Sequence, residues 1–362
     1  MSDQSSLQEL AIAIREKAAL SGLRFVFAES CTSGLCAASV GSQPGISEFF
    51  CGSHVTYRND SKAKWIGVTS ETLKQVGPVS RQVAQQMAAG ALSKTPEADI
   101  AIAITGHLGP QAPAGLDGLL FLGAAMRHES KINLACFEYE LPQAARAERQ
   151  CLAAEKVLHC LVRILELHQA ATQVCHAESL FAVIGSEEIK ALLPGSFNPV
   201  HQGHMEMLKH GSMEIEHDVH FELSVENVDK PDLSVADCLE RALPLCVQHD
   251  LVLTRAPTFL TKARLLGGVC FLVGVDTIGR IAEAKYYSGE QSRDKALEEL
   301  RELEVRFLVY GRTMDDSFST SSDSEVEFVE LNSLSLPASL QSLCRGVDQT
   351  QFRRDVSSRD LR

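Results

Sequence analysis

"PGSFNPVHQGH", Pro194 to His204, is the stretch on which the fold turns. It follows the apolar run Ile189 to Leu193 and leads into a helical pattern, so it marks a corner where a strand becomes a helix. Glycine, serine, asparagine and proline crowd the bend, with His201 and His204 three residues apart beyond it. Glycine lets backbone approach a ligand closely, and such a turn leaves amide N–H groups pointing into the crevice. The helix that follows presents its positive end to an anion. At i and i+3 the imidazoles share a helical face, where their ring donors can bind phosphate oxygens and stabilise charge on a leaving group. Two histidines alone would read as ordinary residues of a helix start; the whole string points to an anion site.

After this corner the alternation is regular. "VHFELSV", "LVLTRA", "VCFLVGVD" and "RFLVYG" read as strands. His201 to Leu208, "SVADCLERALPL", "FLTKARLL", "IGRIAEAKYY" and "KALEELREL" read as helices. Strands spaced by helix-length segments predict a parallel sheet with right-handed crossovers, which binds ligands beyond the carboxyl ends of its strands. "DDSFSTSSDSEVEFVE", Asp315 to Glu330, is acidic and serine-rich; it reads as a mobile surface loop or, alternatively, a phosphorylated regulatory segment.

Before the corner the pattern is mixed. Leu7, Leu10, Ile14 and Ala18 form a helical stripe, "RFVFA" is a buried strand, and Ser80 caps a helix carrying Val83, Met87 and Ala91. "DIAIAITG", "GLLFLGAAM" and "INLACFEYEL" are β-type runs, and a long helix is expected from about Pro142 to His168. Mixed strands and helices suggest an α/β sandwich. Gln169 to Glu188 shows no clear period. The expected organisation is therefore one domain over 1–168, a linker over 169–188, and a second α/β domain over 189–362.

A chain of 362 residues suits about two domains. A net charge of −13 argues against a general nucleic-acid binder, which would show a basic face, while leaving room for a nucleotide held by a few local donors. Eleven cysteines with no CxxC pair read as reduced thiols of a cytoplasmic protein rather than a disulfide scaffold or zinc ribbon. The polar start "MSDQSSLQEL" is unlike a targeting peptide, and no apolar run reaches membrane-spanning length. The expected partners are small-molecule nucleotides, with neither nucleic acid nor membrane.

The stretch from about Ile189 to Arg362 resembles the nucleotidyltransferase superfamily, and within it the nicotinamide and nicotinate mononucleotide adenylyltransferases, whose signature reads GSFxPxHxGH. The resemblance implies a Rossmann-like parallel sheet. It places Gly195, Ser196, Phe197 and Asn198 around the nucleotide, with His201 and His204 as catalytic donors. "VGVDT", Val273 to Thr277, looks like the family's GxD segment, with Gly274 and Asp276 holding the nucleotide. "FRRDVSSRDLR" looks like its ISSTxxR motif, with Ser357 and Ser358 capping a helix toward the phosphates and Arg362 binding them; Arg359 replaces the usual threonine. The implied substrate is ATP, with Mg²⁺ mainly on phosphate oxygens and no protein-made metal cage. Relatives stack the pyridine ring on an aromatic, often tryptophan. The one tryptophan here, Trp65, lies in the other half, leaving Phe197, Phe221, Phe259, Tyr286 or Tyr287 to substitute.

"AESCTSG", Ala28 to Gly34, also sits where a strand becomes a helix and places Ser30 beside an anion-binding turn. With "VTYRNDSKAK", "AITGHLGP", "VGPVS" and "GLLFLG" it resembles the CinA C-terminal domain family over about Leu7 to Leu167. Characterised members of that family deamidate nicotinamide mononucleotide. The resemblance makes Ser30 the nucleophile, Lys62 its base and Tyr57 a proton relay. It assigns Thr105 to oxyanion support, and Arg146 or Arg149 to the substrate phosphate. Self-association through this domain is also implied. The sequence departs from the family at Ser33, at His107, and in "QAPAGLDG" after that segment.

Joined, the two resemblances imply deamidation of nicotinamide mononucleotide followed by transfer of the AMP group of ATP to nicotinate or nicotinamide mononucleotide, in NAD synthesis or salvage. Two other readings stand beside it. One is a nucleotidyltransferase with another phosphorylated acceptor or CTP as donor and an inactive first domain. The other is a non-catalytic nucleotide-sensing scaffold.

Overall fold

Apolar at every position except the last, Phe25–Glu29 (β1) is buried along its whole length and so needs cover on both faces. The computed structural model describes residues 2–129, 131–228, 231–314 and 327–353. Contacts divide the chain into two units: Met1–Thr172 with Val235–Gln248, and Gln173–Ser234 with His249–Arg362.

In the first unit α1 (Ser2–Ser21) leads to β1, followed by α2 (Leu35–Gly41), β2 (Phe50–Val55), α3 (Asn59–Ile66), α4 (Ser70–Gln75) and α5 (Arg81–Lys94). Then come β3 (Ile100–Gly106), β4 (Leu119–His128), β5 (Lys131–Glu140) and α6 (Arg146–Cys175). The sheet order is β2-β1-β3-β4-β5, parallel as far as β3 and antiparallel beyond it. Ser80 caps α5 by accepting from the Val83 amide, as its position predicts. Val26 and Ala28 share a core with Val83, Met87 and Ala91 of α5. Facing the other way, Phe25 and Phe27 contact Phe50, with ring centroids 5.4 and 5.6 Å away. Helix and sheet approach closely through glycine: a Cβ at Gly123 would sit 2.1 Å from the Ala84 carbonyl oxygen.

In the second unit β6 (Phe181–Ile184) and β7 (Ala191–Pro194) precede α7 (Gln202–Ile215), β8 (Val219–Ser224), α8 (Val235–Cys246) and β9 (Leu251–Thr254). Next are α9 (Phe259–Leu266), β10 (Cys270–Gly274), α10 (Val275–Ala282), α11 (Glu290–Glu302) and β11 (Arg306–Tyr310). A short hairpin of β12 (Arg312–Met314) and β13 (Glu327–Val329), then α12 (Ala338–Gln341) and β14 (Cys344–Val347), complete it. The seven strands run β14-β11-β10-β7-β8-β9-β6, all parallel except the edge strand β6. From β7 the chain winds outward through β8 and β9, then returns to β10 on the other side. The carboxyl ends of β7 and β10 therefore flank the point where the winding reverses, the ligand crevice of such sheets.

The two-part α/β architecture is as expected, but three boundaries differ. The segment expected to link the domains is ordered: α6 continues to Cys175, and Phe181–Ile184 forms the antiparallel edge strand. A four-residue strand is too short for a readable period. The long helix begins at Arg146 instead of Pro142. Helix α8, expected with the second domain, groups with the first unit, where Arg163 Nε donates to the Cys246 carbonyl at 2.6 Å and Gln248 to that of Glu138 at 2.9 Å. Of the acidic serine-rich stretch, residues 315–326 lie outside the described residues, while Glu327–Val329 pairs with β12. None of the eleven cysteines is disulfide-bonded. No described helix is long and apolar enough to cross a membrane.

Candidate functional sites

Ser30 leaves the end of β1 on a tight turn. Ser33, at φ 54°, and Gly34, at φ 97°, carry that turn into α2. Glu29 holds it from within. Fully buried, its carboxylate accepts from the amides of Gly34 (2.9 Å), Cys36 (3.1 Å) and Ala37 (3.0 Å) and from the Ser53 hydroxyl (3.0 Å). A carboxylate at a helix N-terminus is stabilised by just such donors. Sequence reasoning missed Glu29, because three of its four partners are backbone amides that leave no trace in residue identity. Among the described residues, the amides of Cys31 and Thr32 make no backbone–backbone hydrogen bond.

Lys62, from α3, reaches this turn. Its Nζ is 2.7 Å from Ser30 Oγ and donates to the Thr56 carbonyl at 2.9 Å. The side chain is 1% exposed, and burial lowers its pKa to about 8. A hydroxyl beside an amine poised near neutrality forms a nucleophile–base pair. The neighbouring Cys31 thiol is pushed up to about 12 by burial and stays protonated at neutral pH.

The other expected residues divide. Tyr57 is exposed; its hydroxyl accepts from Arg146 Nη2 at 3.0 Å, and Arg146 Nη1 donates to the Gly109 carbonyl at 3.0 Å. With His107 they line a cleft of about 480 Å³. Thr105 and Arg149 are buried, unlike the exposed cleft residues Tyr57 and Arg146. The Thr105 hydroxyl is buried and donates to the Pro78 carbonyl at 2.8 Å, so it is not an oxyanion donor. Arg149 is buried and braces the loop, bonded to Asp117 Oδ1 at 2.7 Å and to the Pro142 carbonyl at 2.8 Å, with its Nη2 buried and unpartnered among the described residues. Its spacing from Arg146 made the two indistinguishable in sequence, and burial separates them.

In the second unit, Gly195 follows β7 and donates its amide to the Glu222 carbonyl at 3.0 Å. Ser196 and Asn198 are exposed, whereas Phe197 is buried at φ 42°. The Phe197 ring packs edge-on against His204 and Phe221, at 5.2 and 5.1 Å between centroids. A Cβ at Gly195 would meet that ring at 2.5 Å. Glycine is required here by the ring of Phe197, and Phe197 itself is an anchor of the turn, not a side chain facing a nucleotide.

His201 caps α7 and His204 occupies its first turn, with ring centroids 3.8 Å apart. The His201 amide donates to His204 Nδ1 at 3.3 Å, which leaves the proton of a neutral imidazole on Nε2. Burial, and then the neighbouring His201, lowers the His204 pKa to about 4. His204 is thus a neutral donor at physiological pH.

Across the crevice, Gly274 caps α10 and Asp276 lies in its first turn, half-exposed, with Arg312 Nη1 at 3.6 Å. A Cβ at Gly274 would meet Asp276 Oδ1 at 2.6 Å. The two expected motifs follow adjacent strands, β7 and β10, at the reversal point. Ser357, Ser358 and Arg362 lie outside the described residues. Of the candidate ring-stacking aromatics, Phe221 is buried and Phe259 packs on Phe271 and Phe307, while Tyr286 is exposed and Tyr287 half-buried.

Comparison with known proteins agrees with this division. Residues 7–165 match the CinA C-terminal domain, and residues 192–362 match the cytidylyltransferase-like family. The CinA-like protein of Chloroherpeton thalassium is 45% identical over 106 residues, 29% of this chain and 25% of that protein. The CinA-like protein of Kosmotoga olearia is 38% identical over 132 residues, 36% of this chain and 31% of that protein. The chain thus spans under a third of the length of these curated relatives. Among solved structures, the competence/damage inducible protein CihA from Agrobacterium tumefaciens is 35% identical, with 43% of this chain and 94% of that one covered at a TM-score of 0.41. The competence or damage-inducible protein from Enterobacter asburiae is 27% identical, with 44% and 98% covered at a TM-score of 0.40. Through residues 7–165 the chain belongs to the CinA C-terminal domain family, and its residues 192–362 match the cytidylyltransferase-like family.

Proposed function

We propose that the chain is a bifunctional enzyme of pyridine-nucleotide metabolism, deamidating nicotinamide mononucleotide in its first unit and adenylylating the product in its second. The observation that carries the first activity is the 2.7 Å approach of buried Lys62 to Ser30 Oγ. Neutral Lys62 takes the hydroxyl proton as Ser30 attacks the carboxamide carbon, and its remaining N–H stays on the Thr56 carbonyl. The amides of Cys31 and Thr32 receive the oxyanion. Lys62 then returns its proton to the departing ammonia, and water hydrolyses the acyl-serine to the carboxylate. Arg146 and Tyr57, in the cleft, hold the substrate's phosphate end.

In the second unit, the acceptor's phosphate attacks the α-phosphorus of ATP in line, and pyrophosphate leaves. No covalent enzyme intermediate is needed, so positioning and charge neutralisation do the work. His204 Nε2–H and His201 donate to phosphate oxygens, while Gly195, Ser196 and Asn198 shape the turn around them. Among the described residues no three His, Cys, Asp or Glu side chains could cage a metal. Mg²⁺ therefore fits as a phosphate-bound ion with at most the Asp276 carboxylate nearby, and its chemistry is neutralisation of phosphate charge. Phe197 and Phe221 are buried and Phe259 packs on Phe271 and Phe307, which favours Tyr286 or Tyr287 as the partner of a pyridine ring. A different phosphorylated acceptor, or CTP as donor, is the competing reading on that account.

The test is incubation with nicotinamide mononucleotide, ATP and Mg²⁺, with ammonia and pyrophosphate followed separately. Both should appear. Ammonia alone would reject the second assignment, and pyrophosphate alone the first.

A further inference from the structure

Beside the phosphate turn lies a buried ion pair that the mechanism above does not use. Glu222 of β8 stands in register with Pro194, the residue before Gly195, and its own carbonyl receives the Gly195 amide. Its Oε1 accepts from Lys262 Nζ at 2.6 Å and from the Thr254 hydroxyl at 2.5 Å. Lys262, Glu222 and Thr254 are 4%, 1% and 0% exposed. Lys262 comes from the first turns of α9, directly after the loop leaving β9, and helical side chains lean toward their own N-terminus. The ammonium therefore sits at the carboxyl ends of β8 and β9, on the side of the turn away from β10.

An ammonium carries three donors. Among the described residues one is matched, by Glu222, and an under-satisfied buried cation is costly. A buried ion pair is also weak evidence of stabilisation, since apolar residues of similar volume commonly serve as well or better. We propose that Lys262 binds an anionic oxygen pair of the acceptor nucleotide, a carboxylate or a phosphate, with Glu222 and Thr254 as its positioning residues. The assignment rests on the adenylyl-transfer reading given above. The triphosphate occupies the β7–β10 side of the turn and the acceptor the β8–β9 side.

The test is pyrophosphate release by the full chain in an S30A background, which keeps the two acceptors from interconverting. Lys262→Met is compared with Lys262, using nicotinate and nicotinamide mononucleotides in turn. The expected result is an acceptor KM raised about ten- to a hundredfold, with the KM for ATP unchanged. A rise for the nicotinate form alone places the ring carboxylate on Lys262; a rise for both places the phosphate there. Should the unpaired Glu222 unfold the single variant, the double Lys262→Met/Glu222→Met variant removes both charges and is read identically. An acceptor KM that does not respond, in a chain that still releases pyrophosphate, overturns the Lys262 assignment alone. No pyrophosphate from the parent with either acceptor overturns the transfer reading and this assignment with it.

Discussion

Lys62 sets the pH response of the first activity. Burial holds its amine near pKa 8, below the ordinary 10.5, so the neutral base becomes available as pH rises. Ammonia release should climb with pH and level off above about 8, and Lys62→Met should abolish it. Between about 8 and 10.5 the unfolded chain binds this proton and the folded one does not, so Lys62 makes the fold gain stability as pH rises through that window. Denaturant midpoints at pH 7.5 and 10 should show the gain shrinking in Lys62→Met. His204 has the opposite setting: at a pKa of about 4 it remains a neutral Nε2–H donor at pH 7. Nitrogen NMR of the imidazoles should show that tautomer, and a His204 already charged at pH 7 would contradict it. Ser30, Lys62, His201 and His204 were readable in the sequence because motifs preserve their spacing. Glu29 and Lys262 were not, since their partners are backbone amides or residues about 40 positions away.

Elements position these groups. The turn after β1 is fixed by Glu29, so Glu29→Gln replaces an acceptor with a donor facing backbone N–H groups. It should cost about 1–3 kcal/mol and lower kcat for ammonia release while sparing pyrophosphate release. Stopped assays beside a thermal melt would separate the two effects. Where α5 lies on β4, Gly123→Ala forces a methyl against the Ala84 carbonyl and should destabilise by about 1–3 kcal/mol. The strands of the second sheet were legible from alternation with helices. Phe181–Ile184 was not, and neither was the grouping of α8, whose apolar face gives its period but not the surface it packs on. Thr105, Arg149 and Phe197 are buried, which their residue types, fitting both a site and a brace, do not reveal.

At the scale of the whole molecule, each unit has its own sheet and its own strand-to-helix corner, and each corner carries different chemistry. One pairs a hydroxyl with a buried amine; the other sets two imidazoles at the start of a helix, at the carboxyl end of the central strand of a reversing parallel sheet. Residues drawn from one unit complete each constellation, so the activities should separate by mutation. The most direct measurement follows ammonia and pyrophosphate from Ser30→Ala and His204→Ala, each supplied with nicotinamide mononucleotide, nicotinate mononucleotide, ATP and Mg²⁺. Ser30→Ala should lose ammonia release and keep pyrophosphate release, and His204→Ala should do the reverse, with its loss on the order of a hundredfold or more. Equal damage to both activities in either variant, with the fold intact by circular dichroism, would contradict two independent sites.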